Sequence, residues 1–163
     1  MTGTLAARPE TDSRVGAASD ARRELRLRSE PAEVGRASAW LGKQMAALDL
    51  PHELRYRLDT ALAEAVTNVI SHAYRDAGPH EIAVRYGREA EGWAVEVEDD
   101  GVAFNPLEAA RPSAPGSLAE AAVGGLGIHL IRSFTEECRY RRENGHNHLT
   151  MVARPRPPGE RPA

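Results

Sequence analysis

Apolar side chains recur at helical spacing through the middle of the chain. Leu58, Leu62, Ala65 and Val69 share one sector at about 100° per residue, which predicts a long helix from about His52 to Arg75. Glu64, Asn68 and His72 follow one another at i, i+4 along the edge of that stripe, so a carboxylate and an amide are aimed at the rim of a core. Upstream, Val34, Ala37, Leu41, Met45 and Leu48 mark a first helix, with Ser29 and Pro31 supplying an N-cap region and a first-turn proline. Asp49 to Pro51 separate the two helices, and Gly78-Pro79 ends the second.

Elsewhere the period changes to two. Leu25 and Leu27 alternate with arginines in a short first strand, and Ile82, Val84 and Tyr86 mark another. In Trp93 to Gly101 the alternation puts Trp93, Val95 and Val97 inward and Glu96 and Glu98 toward water. Continued, it leaves Asp99 on the inward face and Asp100 on the outward one. Cys138 and Tyr140 pair with Leu149 and Met151 across Glu143-Asn144-Gly145, and Asn-Gly is a strong hairpin signal. The fold class these elements predict is α+β, a two-layer sandwich of a mostly antiparallel sheet covered on one face by helices.

Two segments carry chemistry beyond the helix stripe. An acid that finishes the apolar side of a strand needs a partner to offset its desolvation, and a donor such as an adenine amino group would serve Asp99. Gly124-Gly125-Leu126-Gly127 runs straight into Ile128-His129-Leu130-Ile131, an amphipathic segment. Closely spaced glycines let backbone amides approach an anion, and the following helix points its positive end the same way, which suits phosphate. The chain has no P-loop pattern.

In this order, Glu-x-x-x-Asn on a helix, Asp-x-Gly ending a strand and Gly-x-Gly opening a helix, the motifs resemble the Bergerat-type ATP-binding fold of the GHKL superfamily. The closer resemblance is to bacterial anti-sigma regulatory factors, the small serine/threonine kinases of partner-switching systems. Glu64 to Asn68 with His72-Ala73-Tyr74 looks like that family's first box, Asp99 to Pro106 its second, and Gly124 to Leu130 its third. The likeness covers roughly residues 22 to 154. Ala103 stands where many superfamily members have a second glycine, and the loop before Gly124 has no lysine.

The resemblance implies roles for named residues. Glu64 is the general base toward a serine or threonine hydroxyl, and Asn68 offers a hard carbonyl oxygen to Mg²⁺. Asp99 and Gly101, with Ala103 beside them, hold adenine, while Gly125, Leu126 and Gly127 offer backbone amides to the phosphates of ATP. Thr150, on the last strand, reaches Asp99 through water. His72 reads as a packed helix residue, and His129, His146 and His148 lack metal-ligand spacing. The implied partners are an antagonist protein that receives the phosphate and a sigma factor that is otherwise sequestered, with a homodimer left open. An alternative is a catalytically weak module that binds ATP only to present a partner surface.

Composition narrows the rest. With 41% hydrophobic and 28% charged residues the chain reads as an ordinary globule, and about 130 structured residues suffice for one core. A net charge of −3 gives no basic footprint for nucleic acid. A single cysteine, Cys138, excludes an intramolecular disulfide and reads as a buried structural thiol. No apolar leader or membrane-length run is present, so a cytoplasmic location is expected. Residues 1–21 read as a disordered tail, 22–154 as the ATP-binding domain and 155–163 as a Pro-rich tail. The irregular stretch from about 105 to 123 lies where a lid over nucleotide belongs.

Overall fold

The computed structural model describes residues 22–76, 78–108 and 126–156, so residues 1–21, most of the expected lid and residues 157–163 lie outside the described residues. The element order is β1 (Arg23–Arg28), α1 (Ala32–Ala46), α2 (His52–His72), β2 (Glu81–Glu89), β3 (Gly92–Asp99), α3 (Leu126–Phe134), β4 (Glu137–Glu143) and β5 (His146–Ala153), with a 3₁₀ turn at Pro106–Glu108. The five strands form one sheet in the order β1-β2-β3-β5-β4, and every pairing is antiparallel. The expected α+β sandwich is thus the observed architecture.

Strand parity builds its core. Leu27, Ile82, Val84, Tyr86, Val95, Val97, Leu149 and Met151 share one sheet face and pack in a single cluster with Leu41 and Met45 of α1, Leu58, Leu62 and Ala65 of α2 and Ile131 of α3. The β4–β5 hairpin turns on Asn144 and Gly145, both with positive φ (51° and 84°), which matches the right-handed twist of the strands. The second helix stops at His72 rather than Arg75. The reason lies in the next residue: the Ala73 carbonyl accepts a 2.8 Å bond from the Val102 amide, which draws the chain off the helix axis toward the end of β3.

The opposite sheet face corrects one expectation. Glu96 does not face water; it is only 2% exposed. Among the described residues no apolar layer covers it. Arg85 and Arg141 donate to its carboxylate at 2.9 and 3.1 Å, Thr150 Oγ1 donates at 3.1 Å, and the long arginine side chains roof it. Burial alone would raise the Glu96 carboxyl, but the bonds from Arg141, Arg85 and Thr150 outweigh it and hold it down at about 2. Among the described residues no helix is long and apolar enough to cross a membrane.

Candidate functional site

The three motif segments meet in one cleft between α2, the end of β3 and the start of α3. Asp99, only 5% exposed, closes the inner end. Its Oδ1 accepts the Gly101 amide at 2.9 Å and Asn147 Nδ2 at 2.8 Å, which leaves Oδ2 outside both bonds. Burial pushes the Asp99 carboxyl above its ordinary range, and these two donors only partly pull it back. Asp99, Val97, Val102, Asn147 and Leu149 line the cleft together with Asn68. A flat apolar ring bearing an amino group suits that lining.

Gly101 is required by a close approach. A Cβ there would lie 2.5 Å from the Ala73 carbonyl oxygen, so any side chain would push β3 off the end of α2. Gly127 makes a softer approach, to side-chain tips rather than backbone. Its Cβ would come within 2.6 Å of Glu64 Oε2 and 3.5 Å of Asn68 Oδ1, so the first turn of α3 sits directly against the α2 stripe. Glu64 and Asn68 are both half-buried, and Asn68 Nδ2 is buried with no hydrogen-bond partner among the described residues. An unpartnered amide of this kind costs about 1–3 kcal/mol, which a bound polar ligand would recover.

Other expected residues are distributed unevenly. Ala103 is exposed beside the cleft, in an adjoining pocket with Asn68, His72, Val102, Phe104 and Ile128. Leu126 opens α3, and Gly125, like Gly124, lies outside the described residues. His72 is exposed on the cleft rim rather than packed, because the i, i+4 stripe continues past the point where β3 covers the helix. Cys138 is half-buried with its sulfur 2.9 Å from Thr135 Oγ1, and burial raises its thiol.

Thr150 is a correction. It pairs with Glu96 across β3 and β5 and bonds to that carboxylate, on the sheet face away from Asp99. The residue of β5 opposite Asp99 is Asn147, which sequence reasoning missed. A signal for it existed: Asn147 shares the parity of Leu149 and Met151, already read as inward, and Thr150 does not. Arg57, 2% exposed, was also missed. Its guanidinium donates to the Phe134 and Arg154 carbonyls at 3.0 Å each and pairs with Glu136, tying α2 to the end of α3 and to the segment after β5.

A helix-borne carboxylate and amide facing the first turn of α3 at Gly127, with a desolvated aspartate across an apolar slot, agree with a histidine kinase-like ATPase domain. That family matches residues 27–153, and the chain belongs to it. Within the family the chain is similar to the serine/threonine-protein kinase BtrW of Bordetella bronchiseptica, at 33% identity over 104 residues covering 64% of this chain and 73% of that protein. It is also similar to the serine-protein kinase RsbW of Bacillus velezensis, at 27% identity over 126 residues covering 75% and 79% respectively. The same protein of Bacillus subtilis is 25% identical over the same span. The crystal structure of the RsbU and RsbW domains of Rv1364c from Mycobacterium tuberculosis shares the fold, with a TM-score of 0.56 at 16% identity over 82% of this chain, which spans 31% of that solved chain.

Proposed function

We propose that the protein is an ATP-dependent serine/threonine kinase of the anti-sigma type, which phosphorylates an antagonist protein and holds a sigma factor when that antagonist is absent. The observation that carries the reading is the approach of Gly127 to Glu64 and Asn68, which brings a carboxylate and an amide on one helix against the first turn of another. Phosphoryl transfer is mostly positioning and charge neutralisation, and this arrangement supplies groups for both. Asp99 and Gly101 receive the base in the slot. Asn68 would hold Mg²⁺, which when bound offsets phosphate charge. The buried Asn68 Nδ2, unpartnered among the described residues, can donate to a phosphate oxygen while Oδ1 is left for the metal, and Gly127 brings the first turn of α3 up to the same side chain, which fits such a site. A serine or threonine oxygen of the antagonist attacks the γ-phosphorus, the bond to the ADP oxygen breaks, and Glu64 takes the hydroxyl proton.

The experiment separates the two groups by their jobs. Glu64→Gln keeps shape but accepts no proton, so it is expected to bind Mg-ATP and antagonist while transfer falls by a factor on the order of 10² to 10⁴. Asn68→Ala is expected to weaken nucleotide binding chiefly when magnesium is present. Phosphate incorporation into the antagonist and nucleotide titration with and without magnesium are the readouts. Transfer by Glu64→Gln at the wild-type rate removes the base assignment. A wild type that binds ATP and a sigma factor yet phosphorylates no antagonist leaves an ATP-dependent binding module in place of the kinase.

A further inference from the structure

Asn147 is 6% exposed, and its amide is fully used inside the protein. Nδ2 donates to Asp99 Oδ1 at 2.8 Å and to the Val102 carbonyl at 3.0 Å, while Oδ1 accepts from Tyr140 Oη at 2.8 Å and Arg142 Nη1 at 2.6 Å. Arg142 Nη1 also reaches the Gly101 carbonyl at 3.1 Å. Arg142, which can only donate, and the two acceptors at the other end fix the amide's orientation, since a flipped amide would set N–H against N–H at Arg142 and oxygen against oxygen at Asp99 and Val102. Nδ2 must therefore face Asp99. With the Gly101 amide on the same atom, Oδ1 of Asp99 is a committed acceptor, and any proton Asp99 carries sits on Oδ2.

That makes Oδ2 the atom whose state a base would meet: an acceptor when bare, a donor when protonated. We propose that Asn147, oriented by Tyr140 and Arg142, is a positioning residue that sets nucleobase specificity, keeping Asp99 Oδ2 a bare acceptor so that the slot takes a 6-amino purine and rejects a 6-keto purine. The proposal rests on the nucleotide reading above. Among the described residues the charged and titratable groups around Asp99 are Asp100 on its own segment, Arg142 and Tyr140 from β4, Tyr74 from the turn after α2, and His72 from the rim of the same cleft. Burial and Asp100 favour the protonated acid, while Asn147, the Gly101 amide and Arg142 oppose it. Removing the Asn147 donor shifts that balance toward an Oδ2–H, which matches a keto oxygen and clashes with an amino group.

The test is calorimetric titration of the full chain with Mg-ATP and with Mg-ITP, which differ at purine position 6, at pH 6 and pH 8. Wild type is expected to prefer ATP at both. In Asn147→Leu, affinity for ATP is expected to fall between about tenfold and hundredfold, the worth of one hydrogen bond to a charged group. ITP affinity is expected to hold or rise, so that the preference collapses, and more so at pH 6. Tyr140→Phe removes one oxygen and one donor to Asn147, and is expected to move the ratio in the same direction by a few-fold even if Asn147→Leu fails to fold. If ATP and ITP affinities fall in parallel, or the ratio is unchanged in Tyr140→Phe and in any folded Asn147→Leu, Asn147 is only structural and the proposal fails. A wild type that binds neither nucleotide overturns the nucleotide reading and this inference with it.

Discussion

Asp99→Asn and Asp100→Asn differ by one position in the chain and by the whole thickness of the strand. Asp99 is buried at the end of the slot, whereas Asp100 is exposed. In Asp99→Asn the side chain must keep its oxygen toward Asn147 Nδ2 and the Gly101 amide, both donors, so its new NH₂ group takes the place of Oδ2. An acceptor for the base amino group thereby becomes a donor. The lost charge-assisted bond is worth about 1.5–3 kcal/mol, and the unpaired buried donor costs roughly another 1–3 kcal/mol. Together these predict a loss of about 2.5 to 6 kcal/mol, or a factor of about 10² to 10⁴ in ATP affinity. Asp100→Asn removes an exposed charge and is expected to stay within about 0.5 kcal/mol, roughly twofold. Calorimetric titration of both variants against wild type is the assay, with unfolding midpoints measured in parallel. Burial raises the Asp99 carboxyl, so in the nucleotide-free protein at neutral pH its charge is a net cost to folding, and Asp99→Asn is expected to be at least as stable as wild type. An Asp99→Asn variant that binds ATP within about threefold of wild type would refute the reasoning, as would equal losses in both variants.

Two further predictions concern what holds the cleft together. Arg57→Ala takes one of two arginines from Glu136, which keeps Arg156, and leaves the Phe134 and Arg154 carbonyls without the guanidinium donor, for an expected loss of about 1–3 kcal/mol in urea unfolding, with Arg57→Met losing less because it refills the volume; a loss under about 0.5 kcal/mol in Arg57→Ala would show the clamp to be decorative. For Glu96 the folded carboxyl lies near 2 against an ordinary value of 4.5, so the stability it contributes is present above pH 4.5 and is lost as pH falls toward 2. The difference amounts to about 3 kcal/mol. Unfolding free energies from pH 6 down to pH 2.5 should lose much of that slope in Glu96→Gln, and an unchanged slope would assign acid lability elsewhere.

How far the molecule could be read from its residues depended on the range of the interaction concerned. Periodicity is local, so the α2 stripe, the inward face of β3 and the Asn-Gly hairpin were all legible. Glu96 was misread because alternation specifies a face and not its exposure: the arginines that roof it come from β2 and β4, and their reach is invisible in the pattern of β3. The expectation for Thr150 chose the right strand but the wrong parity, and the opposite parity of Leu149 and Met151 already argued against it. Asn147 contacts groups 48 and 45 positions away as well as its hairpin neighbours, so parity gives its face but not its partner, while Arg57 contacts carbonyls 77 and 97 positions away and its ties leave no local trace.

These long-range contacts also explain why a helix can carry the site. Arg57 ties α2 to the end of α3 and to the segment after β5, and at its other end the Ala73 carbonyl is bonded to Val102 while Gly101 packs against the same residue. Glu64 and Asn68 lie between these two ties, on a segment whose position is set from both directions. If Glu64 and Asn68 serve phosphate and metal as proposed, their placement to within about half an ångström needs a support of that kind. The Arg57 clamp therefore bears on the position of the cleft's α2 residues although it touches none of them.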